Sequence, residues 1–364
     1  MYFDPRPKTR KEDLYDREEE LEEFFNALVY APLIVVTGVR RTGKTSFVNV
    51  ALAECGHPYI MIDLRGLPFN PSHADIIRRL EVAFRQIDKK WLSDLVDSLK
   101  QIKGVSILGS EISFEWSKKG LDLAELFSKI NQWAEGRKKK FVIAFDEIQV
   151  IRGDKWILRI LAHVIDTYHN ITVVITGSEV GLLFDFLGLD QPDSPLYGRH
   201  FVEIQMKTFT PQMSEEFLTV GFEQIKMKPS ADLLAYAVQE LDGVPGWLTL
   251  FGVRCRDKKT CSKEIVDMVA SEAGKLSREE VMKMVAYSRR YGMILNFLSK
   301  MGEATWSQIK STIEVAESRS IANSAVTTLI RNLIKIGVII QRDGKYSIAD
   351  PILMRGLREE SLPE

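Results

Sequence analysis

Residues 38–45 are Gly38-Val39-Arg40-Arg41-Thr42-Gly43-Lys44-Thr45, which fit the pattern G-x-x-x-x-G-K-[ST] at every position. They follow the apolar run 33–37 and lead into a helix-forming stretch that begins at Ser46, the strand–loop–helix context that the pattern needs. In such a loop, glycines let backbone N–H groups turn inward, and the helix N-terminus adds partial positive charge. We therefore predict that these eight residues and Ser46 hold the phosphates of a nucleotide.

Two residues of this loop have predicted chemical roles. Lys44 would hold the β- and γ-phosphate oxygens and act in catalysis. Thr45 would place its hydroxyl on Mg²⁺, a cation that prefers oxygen ligands in octahedral geometry. The predicted ligands are therefore ATP or ADP together with Mg²⁺.

A second polar site follows the apolar run 141–145, which ends in Asp146 and Glu147. Ligands of open α/β sheets bind at the carboxyl ends of the strands. We predict that Asp146 reaches the Mg²⁺ shell and that Glu147 polarises the attacking water as a general base. A pair of acids at this place favours a hydrolase over a kinase.

A third polar site follows the apolar run 171–176, which leads into Gly177-Ser178-Glu179. This run resembles the strand that, in proteins with these two motifs, lies between the two strands already named. Thr176 or Ser178 would then contact the γ-phosphate or the attacking water. The alternative is that these hydroxyls only cap the next helix.

The first two-thirds of the chain alternates short apolar runs with helix-length segments. This alternation predicts an α/β fold: a three-layer core with a parallel five-stranded sheet and helices on both faces. The predicted strands are 33–37, 59–63, 141–145, 171–176 and 201–204. An alternating stretch around Gly109-Ser110 predicts a β-hairpin inserted at about residues 103–117.

Three segments follow from the change in pattern along the chain. Residues 1–205 form the predicted core. Helical periodicity from Pro211, with a break at 243–246, predicts a helical lid over residues 206–281. Residues 282–364 give three helices and then a hairpin that turns at Asp343-Gly344, which predicts a winged-helix domain.

Composition limits the classes of protein to consider. Of 364 residues, 45% are hydrophobic and 27% are charged, which is typical of a globular chain with several cores. No apolar run approaches the roughly 20 residues that span a bilayer. We therefore predict a cytoplasmic protein with no membrane partner.

The charge of the chain is distributed unevenly. The net charge is −1, which argues against a nucleic-acid coat over the whole molecule. Residues 283–345, however, hold ten Lys or Arg against four Asp or Glu, a local net charge of +6. Double-stranded DNA is thus a candidate partner of the winged helix, and docking of a protein partner is the alternative. The candidate DNA contacts are Arg331, Lys335, Arg342 and Lys345.

Taken in this order, the motifs resemble those of archaeal-type AAA+/STAND P-loop ATPases, relatives of the origin-recognition initiators. Further matching pieces are residues 15–21, 176–179, 194–199, 243–246 and 349–351. The resemblance implies that Arg17 lies beside the nucleotide and that Pro245 packs on it and couples the lid to its presence. It also implies that Arg199 is a γ-phosphate sensor or arginine finger.

One departure from the family pattern bears on mechanism. The region around Pro245 lacks the arginine that many AAA+ proteins carry as a second sensor, and Arg254 lies too far along the chain to replace it. This departure favours a switch over a ring-forming motor. The leading hypothesis is therefore a slow, Mg²⁺-dependent ATPase that works as a nucleotide-controlled switch. The alternatives are a DNA-binding regulator that retains its nucleotide structurally and, last, a P-loop kinase.

Overall fold

The fold is described from a computed structural model of the chain. It describes residues 1–68, 71–100, 102, 104–108, 111–114, 122–151, 155–178, 180–285 and 288–363. The predicted hairpin turn Gly109-Ser110 and the motif residue Glu179 lie outside this described part.

The core begins with helix α1 (Glu18–Tyr30), strand β1 (Leu33–Thr37), helix α2 (Lys44–Glu54) and strand β2 (Tyr59–Asp63). It continues through α3 (His73–Arg85), α4 (Lys89–Leu99), β3 (Val105–Leu108), β4 (Glu111–Phe114), α5 (Leu123–Gly136) and β5 (Phe141–Asp146). It ends with α6 (Trp156–Thr167), β6 (Ile171–Thr176), α7 (Val180–Leu187) and β7 (Val202–Gln205).

Five of these strands form one parallel sheet in the order β2-β5-β6-β1-β7. The predicted five-stranded parallel sheet is therefore confirmed, including the place of β6 between β1 and β5. The last strand lies one residue later than predicted. Strands β3 and β4 pair antiparallel outside this sheet, as the predicted hairpin requires.

The three central strands β5, β6 and β1 are buried along their whole length, which explains why their sequences are almost continuously apolar. Because side chains alternate along a strand, Val35 of β1 packs with the cluster under α3 to α6, while its neighbour Ile34 packs with α1 and α2. All parallel strands end at one edge of the sheet, called here the carboxyl edge. The opposite edge is the amino edge.

Four helices follow the core: α8 (Pro211–Gln224), α9 (Ala231–Leu241), α10 (Pro245–Lys258) and α11 (Lys263–Val285). The hydroxyl of Thr210 caps α8 by accepting a hydrogen bond from the Met213 N–H. Pro245 occupies the first turn of α10, where a missing N–H costs nothing. These helices share one hydrophobic cluster, called here the lid core.

The carboxy-terminal part is a winged helix, as predicted. It consists of α12 (Arg289–Met301), β8 (Glu303–Thr305), α13 (Trp306–Glu317), α14 (Asn323–Lys335), β9 (Ile339–Arg342), β10 (Lys345–Ile348) and α15 (Pro351–Glu359). The strands form an antiparallel sheet in the order β8-β10-β9. Asp343 and Gly344 both have positive φ, as the tight turn of the wing demands.

The three predicted segments remain a prediction, and α11 spans their second boundary. Val269 in the first half of α11 packs into the lid core, whereas Val281 and Val285 pack into the core of the winged helix. One continuous helix thus joins both clusters. Among the described helices, none combines the length and apolar character needed to cross a bilayer.

Candidate functional site

The phosphate loop lies at the carboxyl edge, between β1 and α2. Gly38 has a φ of 140°, and a Cβ there would lie 2.5 Å from the Met206 carbonyl oxygen. Gly43 has a φ of 93° and precedes the first residue of α2. Both positions require glycine, because the loop must turn sharply to aim its N–H groups inward.

Lys44 is buried at the centre of this loop. Its ammonium donates to the carbonyl oxygens of Gly38 and Val39, at 2.8 and 2.9 Å. The Thr42 hydroxyl donates to the same Val39 oxygen, at 2.9 Å, and so fixes the loop. Burial lowers the pKa of Lys44 to about 8, while the nearby carboxylates of Glu147 and Asp146 oppose this shift.

Asp146, at the end of β5, is fully buried and connects the two predicted motifs. Its carboxylate accepts from the Thr45 hydroxyl at 3.0 Å and from the Thr176 hydroxyl at 2.6 Å. The Arg65 guanidinium lies 3.4 Å from it. Burial raises the pKa of Asp146, and the hydrogen bond from Thr176 acts in the opposite direction. The adjacent hydroxyl and carboxylate oxygens of Thr45 and Asp146 are a donor set that fits Mg²⁺.

Glu147 is held at the end of the same strand. Its backbone is left-handed, with a φ of 59°, and its N–H donates to the Thr176 hydroxyl oxygen at 3.0 Å. Its carboxylate accepts from the Ser178 hydroxyl at 2.8 Å and from the side-chain amide of Gln149. Thr176 therefore lies between both acids, donating to one side chain and accepting from the backbone of the other.

The lid contacts the phosphate loop directly. The Gly246 N–H, next to Pro245, donates to the Arg41 carbonyl oxygen at 3.0 Å. The Arg41 guanidinium lies over the Trp247 ring, 4.1 Å from its centroid. These contacts place the predicted residue Pro245 at the junction of lid and loop.

A second lid contact comes from Glu280 of α11. Its Oε1 atom lies 3.0 Å from Arg40 Nη1 and 3.1 Å from Arg41 Nη1. One carboxylate thus bridges two neighbouring cations of the phosphate loop.

Arg17 is buried next to the lid. Its guanidinium donates to Glu20 at 2.8 Å and to the Lys207 carbonyl oxygen at 2.7 Å, and it lies 5.0 Å from the Phe209 ring centroid. These contacts join α1 to the segment between β7 and α8. The contact of Arg17 with nucleotide remains a prediction. The observed contacts also give Arg17 a structural role.

Ser46 lies next to the amino-terminal segment, where its hydroxyl accepts from the Lys8 N–H at 3.0 Å.

Arg199 lies at the amino edge, away from the phosphate loop of its own chain. It precedes β7 by three residues, and its Nε donates to Asp166, near the end of α6, at 2.8 Å. The neighbouring His200 ring lies 6.1 Å from the ring of Tyr30, just before β1. About five residues of strand, roughly 16 Å, separate the two edges. Any contact of Arg199 with a γ-phosphate therefore requires a second copy of the chain.

Sequence reasoning missed several residues of this site. Arg65 was detectable in principle, since it lies two residues after Asp63, the last residue of β2, to which it binds through two nitrogens. Gln149 and Glu280 gave no signal, because neither belongs to a motif of the phosphate site.

Comparisons with known proteins bear on the family and fold of this chain. Residues 14–251 match the family described as an ATPase domain predominantly from Archaea. Residues 264–349 match the family described as the MCM protein C-terminal winged helix-turn-helix domain. The Walker-type ATPase of Pyrococcus abyssi is similar to this chain, with 32% identity and a TM-score of 0.82, over 98% of this chain and 100% of that one.

Two further solved structures are similar at lower identity. Cdc6p from Pyrobaculum aerophilum has 15% identity and a TM-score of 0.47, over 99% of this chain and 98% of that one. The RuvB Holliday junction branch migration motor of Thermotoga maritima has 11% identity and a TM-score of 0.48, over 100% of both chains. A comparison with curated proteins gives no match.

Proposed function

Since this chain belongs to the family of ATPase domains found predominantly in Archaea, we propose that it is a slow, Mg²⁺-dependent ATPase in which the bound nucleotide sets the arrangement of lid and winged helix. Family membership, together with the similar Walker-type ATPase, makes the chain an ATP-binding ATPase. The low rate, the metal and the switch are the proposal.

The hydrogen-bonded acids at the carboxyl edge support hydrolysis. Lys44 would bind the β- and γ-phosphate oxygens of ATP, and Glu147 would accept a proton from the water that attacks the γ-phosphorus. The bond between the γ-phosphorus and the β,γ-bridging oxygen breaks, which releases ADP and phosphate. Thr176 positions both acids for this step, because its hydroxyl binds one and its oxygen binds the N–H of the other.

Thr45 and Asp146 would hold Mg²⁺. Their oxygen atoms are 3.0 Å apart, and both are hard ligands of the kind that this cation prefers. Bound there, Mg²⁺ would neutralise charge on the phosphates. The chain's own contribution is to keep Asp146 fully buried and fixed by Thr176.

The ion pairs of Glu280 with Arg40 and Arg41 are the main support for the proposed nucleotide-controlled switch. Glu280 ties Arg40 and Arg41 of the phosphate loop to α11, and α11 continues into the winged helix. Gly274 of α11, in the predicted lid, and Gly356 of α15, in the winged helix, pack backbone against backbone, with no room for a Cβ at Gly356. Nucleotide phosphates attract the same two arginines. Binding of these phosphates to Arg40 and Arg41 would therefore weaken the ion pairs of both arginines with Glu280. We expect α11 to move as a result, together with the winged helix.

DNA is the partner that we propose for the winged helix. Arg331 of α14 and Arg342 of β9 are exposed, and neither has an ion-pair partner in the described ranges. Lys345, in contrast, is paired with Glu303. Docking of a protein partner by this domain is the competing proposal.

Nucleotide content and ATP turnover test the proposed function. Purified wild type is expected to contain ADP and to hydrolyse ATP slowly with Mg²⁺ and not with EDTA. Lys44→Ala is expected to lose nucleotide binding, and Glu147→Gln to retain ATP while turnover falls about 10²-fold or more. Glu135→Gln, on the exposed side of α5, serves as the matched control. Turnover that Glu147→Gln leaves unchanged would exclude hydrolysis by this site, and turnover indifferent to duplex DNA would favour a protein partner.

A further inference from the structure

Arg65 is a cation at the carboxyl edge that the proposed function leaves without a role. Strands β2 and β5 pair in register, so that Asp63 lies opposite Asp146. The Leu64 N–H donates to the Asp146 carbonyl oxygen at 3.2 Å, which keeps the chain beside β5 for one more residue. The Arg65 N–H then donates back to the Asp63 carboxylate at 3.0 Å. This turn brings the Arg65 side chain to the strand that ends in both acids of the site.

Asp63 fixes the orientation of the Arg65 guanidinium. Its carboxylate accepts from Nε at 2.9 Å and from Nη2 at 2.7 Å. This bidentate pair uses two of the five N–H groups of the planar guanidinium and leaves three on the edge formed by Nη1 and Nη2. Within the part of the chain that the structure describes, this edge donates to no further group. Since 47% of the side chain is exposed, a ligand can reach it.

The same guanidinium lies against the acid that would hold Mg²⁺. Arg65 Nε is 3.4 Å from Asp146 Oδ2, and Asp146 is fully buried. Glu147 is the next residue, so the charge of Arg65 lies where the γ-phosphoryl group and its attacking water are expected. No other Lys or Arg of the described ranges forms an ion pair with either acid.

The other candidate cations of the site lie elsewhere. Lys44, Arg40 and Arg41 belong to the phosphate loop after β1, which is two strands away from β5. Arg199 is bound to an acid at the amino edge. Arg65 comes from β2, on the far side of β5. Within one chain, it is therefore placed to meet the γ-phosphoryl group from the side opposite the loop.

We infer that Arg65 is a catalytic residue of ATP hydrolysis, and that its Nη1–Nη2 edge donates to the γ-phosphoryl oxygens during transfer. This inference rests on the proposed function, because it concerns the same reaction. The water oxygen bonds to the γ-phosphorus and its proton passes to Glu147. The bond to the β,γ-bridging oxygen breaks, and its electron pair stays with ADP. Arg65 forms no covalent bond and neutralises charge on the transferring group, while Asp63 is its positioning residue.

Binding of Mg²⁺-ADP, with and without aluminium fluoride, tests this inference by calorimetric titration. Together with ADP, aluminium fluoride mimics the γ-phosphoryl group in transfer. For Arg65→Ala, we expect the Kd measured with aluminium fluoride to rise about 100-fold, while the Kd of Mg²⁺-ADP alone stays within about twofold of wild type. Arg65→Lys should lie between the two, because an ammonium keeps the charge and lacks the planar edge.

The matched control is Arg85→Ala. Arg85 is the last residue of α3, is 46% exposed and pairs with Glu81, so it resembles Arg65 in exposure and in having a carboxylate partner. It should bind both ligands as wild type does.

Turnover at low protein concentration gives a second measurement. The kcat of Arg65→Ala should fall about 100-fold while KM stays within about threefold, because the interaction is made chiefly in the transition state. Wild type and Arg85→Ala should not differ in either constant.

Each outcome decides for or against a catalytic Arg65. An equal loss of affinity for both ligands would overturn the inference, since it would mean that Arg65 only supports nucleotide binding. An unchanged kcat in Arg65→Ala would also overturn it, and would leave the proposed function intact if wild type hydrolyses ATP. A wild type that hydrolyses no ATP would overturn the proposed function itself.

Discussion

Thr176 shows how one hydroxyl organises the candidate site. It is fully buried at the end of β6, donates to Asp146 and accepts from the N–H of Glu147. Without this hydroxyl, a buried carboxylate oxygen of Asp146 and the part-buried N–H of Glu147 would both lose a partner. The arrangement serves chemistry more than packing, because an apolar residue of the same shape would fill the space equally well.

Thr176→Val is expected to lower turnover about 10- to 100-fold, because the residue orients the two acids that we propose act on substrate and metal. The variant should also lose about 1–3 kcal/mol of unfolding free energy, the cost of leaving buried polar groups unpaired. Steady-state turnover and urea unfolding measure the two effects.

Thr172→Val is the matched control for this change. Thr172 lies on the same strand and is equally buried, but its hydroxyl makes only a long 3.4 Å contact with the Ala31 carbonyl oxygen, at the amino edge. It should change stability by less than about 1 kcal/mol and leave turnover as it was. Equal effects of the two substitutions on turnover would mean that Thr176 has no special role.

At the scale of elements, the start of α10 and the phosphate loop are in contact through main chain. Gly246 is required there: an added Cβ would lie 2.7 Å from the Cβ of Arg41 and 3.2 Å from its carbonyl oxygen. The loop cannot yield easily, because Arg41 already has a φ of 65° and stacks on Trp247. A side chain at position 246 would therefore push the helix away.

Gly246→Ala is expected to break the hydrogen bond from residue 246 to Arg41 and to weaken ADP binding about fivefold, the equivalent of one neutral hydrogen bond. Amide hydrogen exchange in the first turn of α10 should accelerate in the same variant. Gly136→Ala, at the end of α5, is the control, because a Cβ there meets nothing within 4 Å. ADP binding that survives Gly246→Ala with unchanged exchange would show that lid and loop are not coupled through α10.

The elements differ in how far the sequence predicts them. Strands of the sheet were predictable because both faces are buried, which makes runs such as 33–37 continuously apolar. The end of β7 was placed one residue early, since pairing of Gln205 with Thr37 sets it and hydrophobicity does not.

The residues of the candidate site also divide into those that the sequence predicts and those that it does not. Lys44, Thr45, Asp146 and Glu147 were predictable because local motifs at strand ends bring them to one edge. Glu280 was not, since it contacts Arg41 across 239 positions of sequence. The approach of Lys8 to Ser46 also depends on tertiary folding, which no local periodicity encodes.

At the scale of the whole molecule, Arg199 bears on assembly. It is bound to Asp166 at the amino edge, so a single chain cannot bring it to its own phosphate loop. At low protein concentration, Arg199→Ala and wild type should therefore hydrolyse ATP at the same rate.

At higher protein concentration, wild type and Arg199→Ala are expected to differ. If Arg199 completes the site of a second copy, wild-type turnover per chain rises with concentration, and Arg199→Ala lacks this rise. Arg137→Ala, which removes a comparable pair with Asp94, should behave as wild type. A lower rate of Arg199→Ala at every concentration would instead indicate a role within one chain.

The winged helix is docked on the core through its own α14. Lys335 of this helix lies 2.6 Å from Asp185 of α7, and the two side chains are 41% and 37% exposed. An ion pair this exposed contributes at most about 1 kcal/mol, so it biases the position of α14 without fixing it. Since Arg331 and Lys335 of α14 are candidate DNA contacts, this ion pair would compete with DNA for Lys335.

Asp185→Asn is therefore expected to raise affinity for duplex DNA about two- to fivefold at low salt, because a weak intramolecular competitor is removed. Arg331→Ala should lower affinity and reduce the salt dependence by about one phosphate contact. Fluorescence anisotropy over a salt series measures both, with Lys300→Ala on α12 as the control. If Asp185→Asn leaves DNA affinity unchanged while Arg331→Ala lowers it, α14 binds DNA without leaving the core. If neither variant changes DNA affinity, this face of the winged helix does not bind DNA, and the protein-docking alternative gains support.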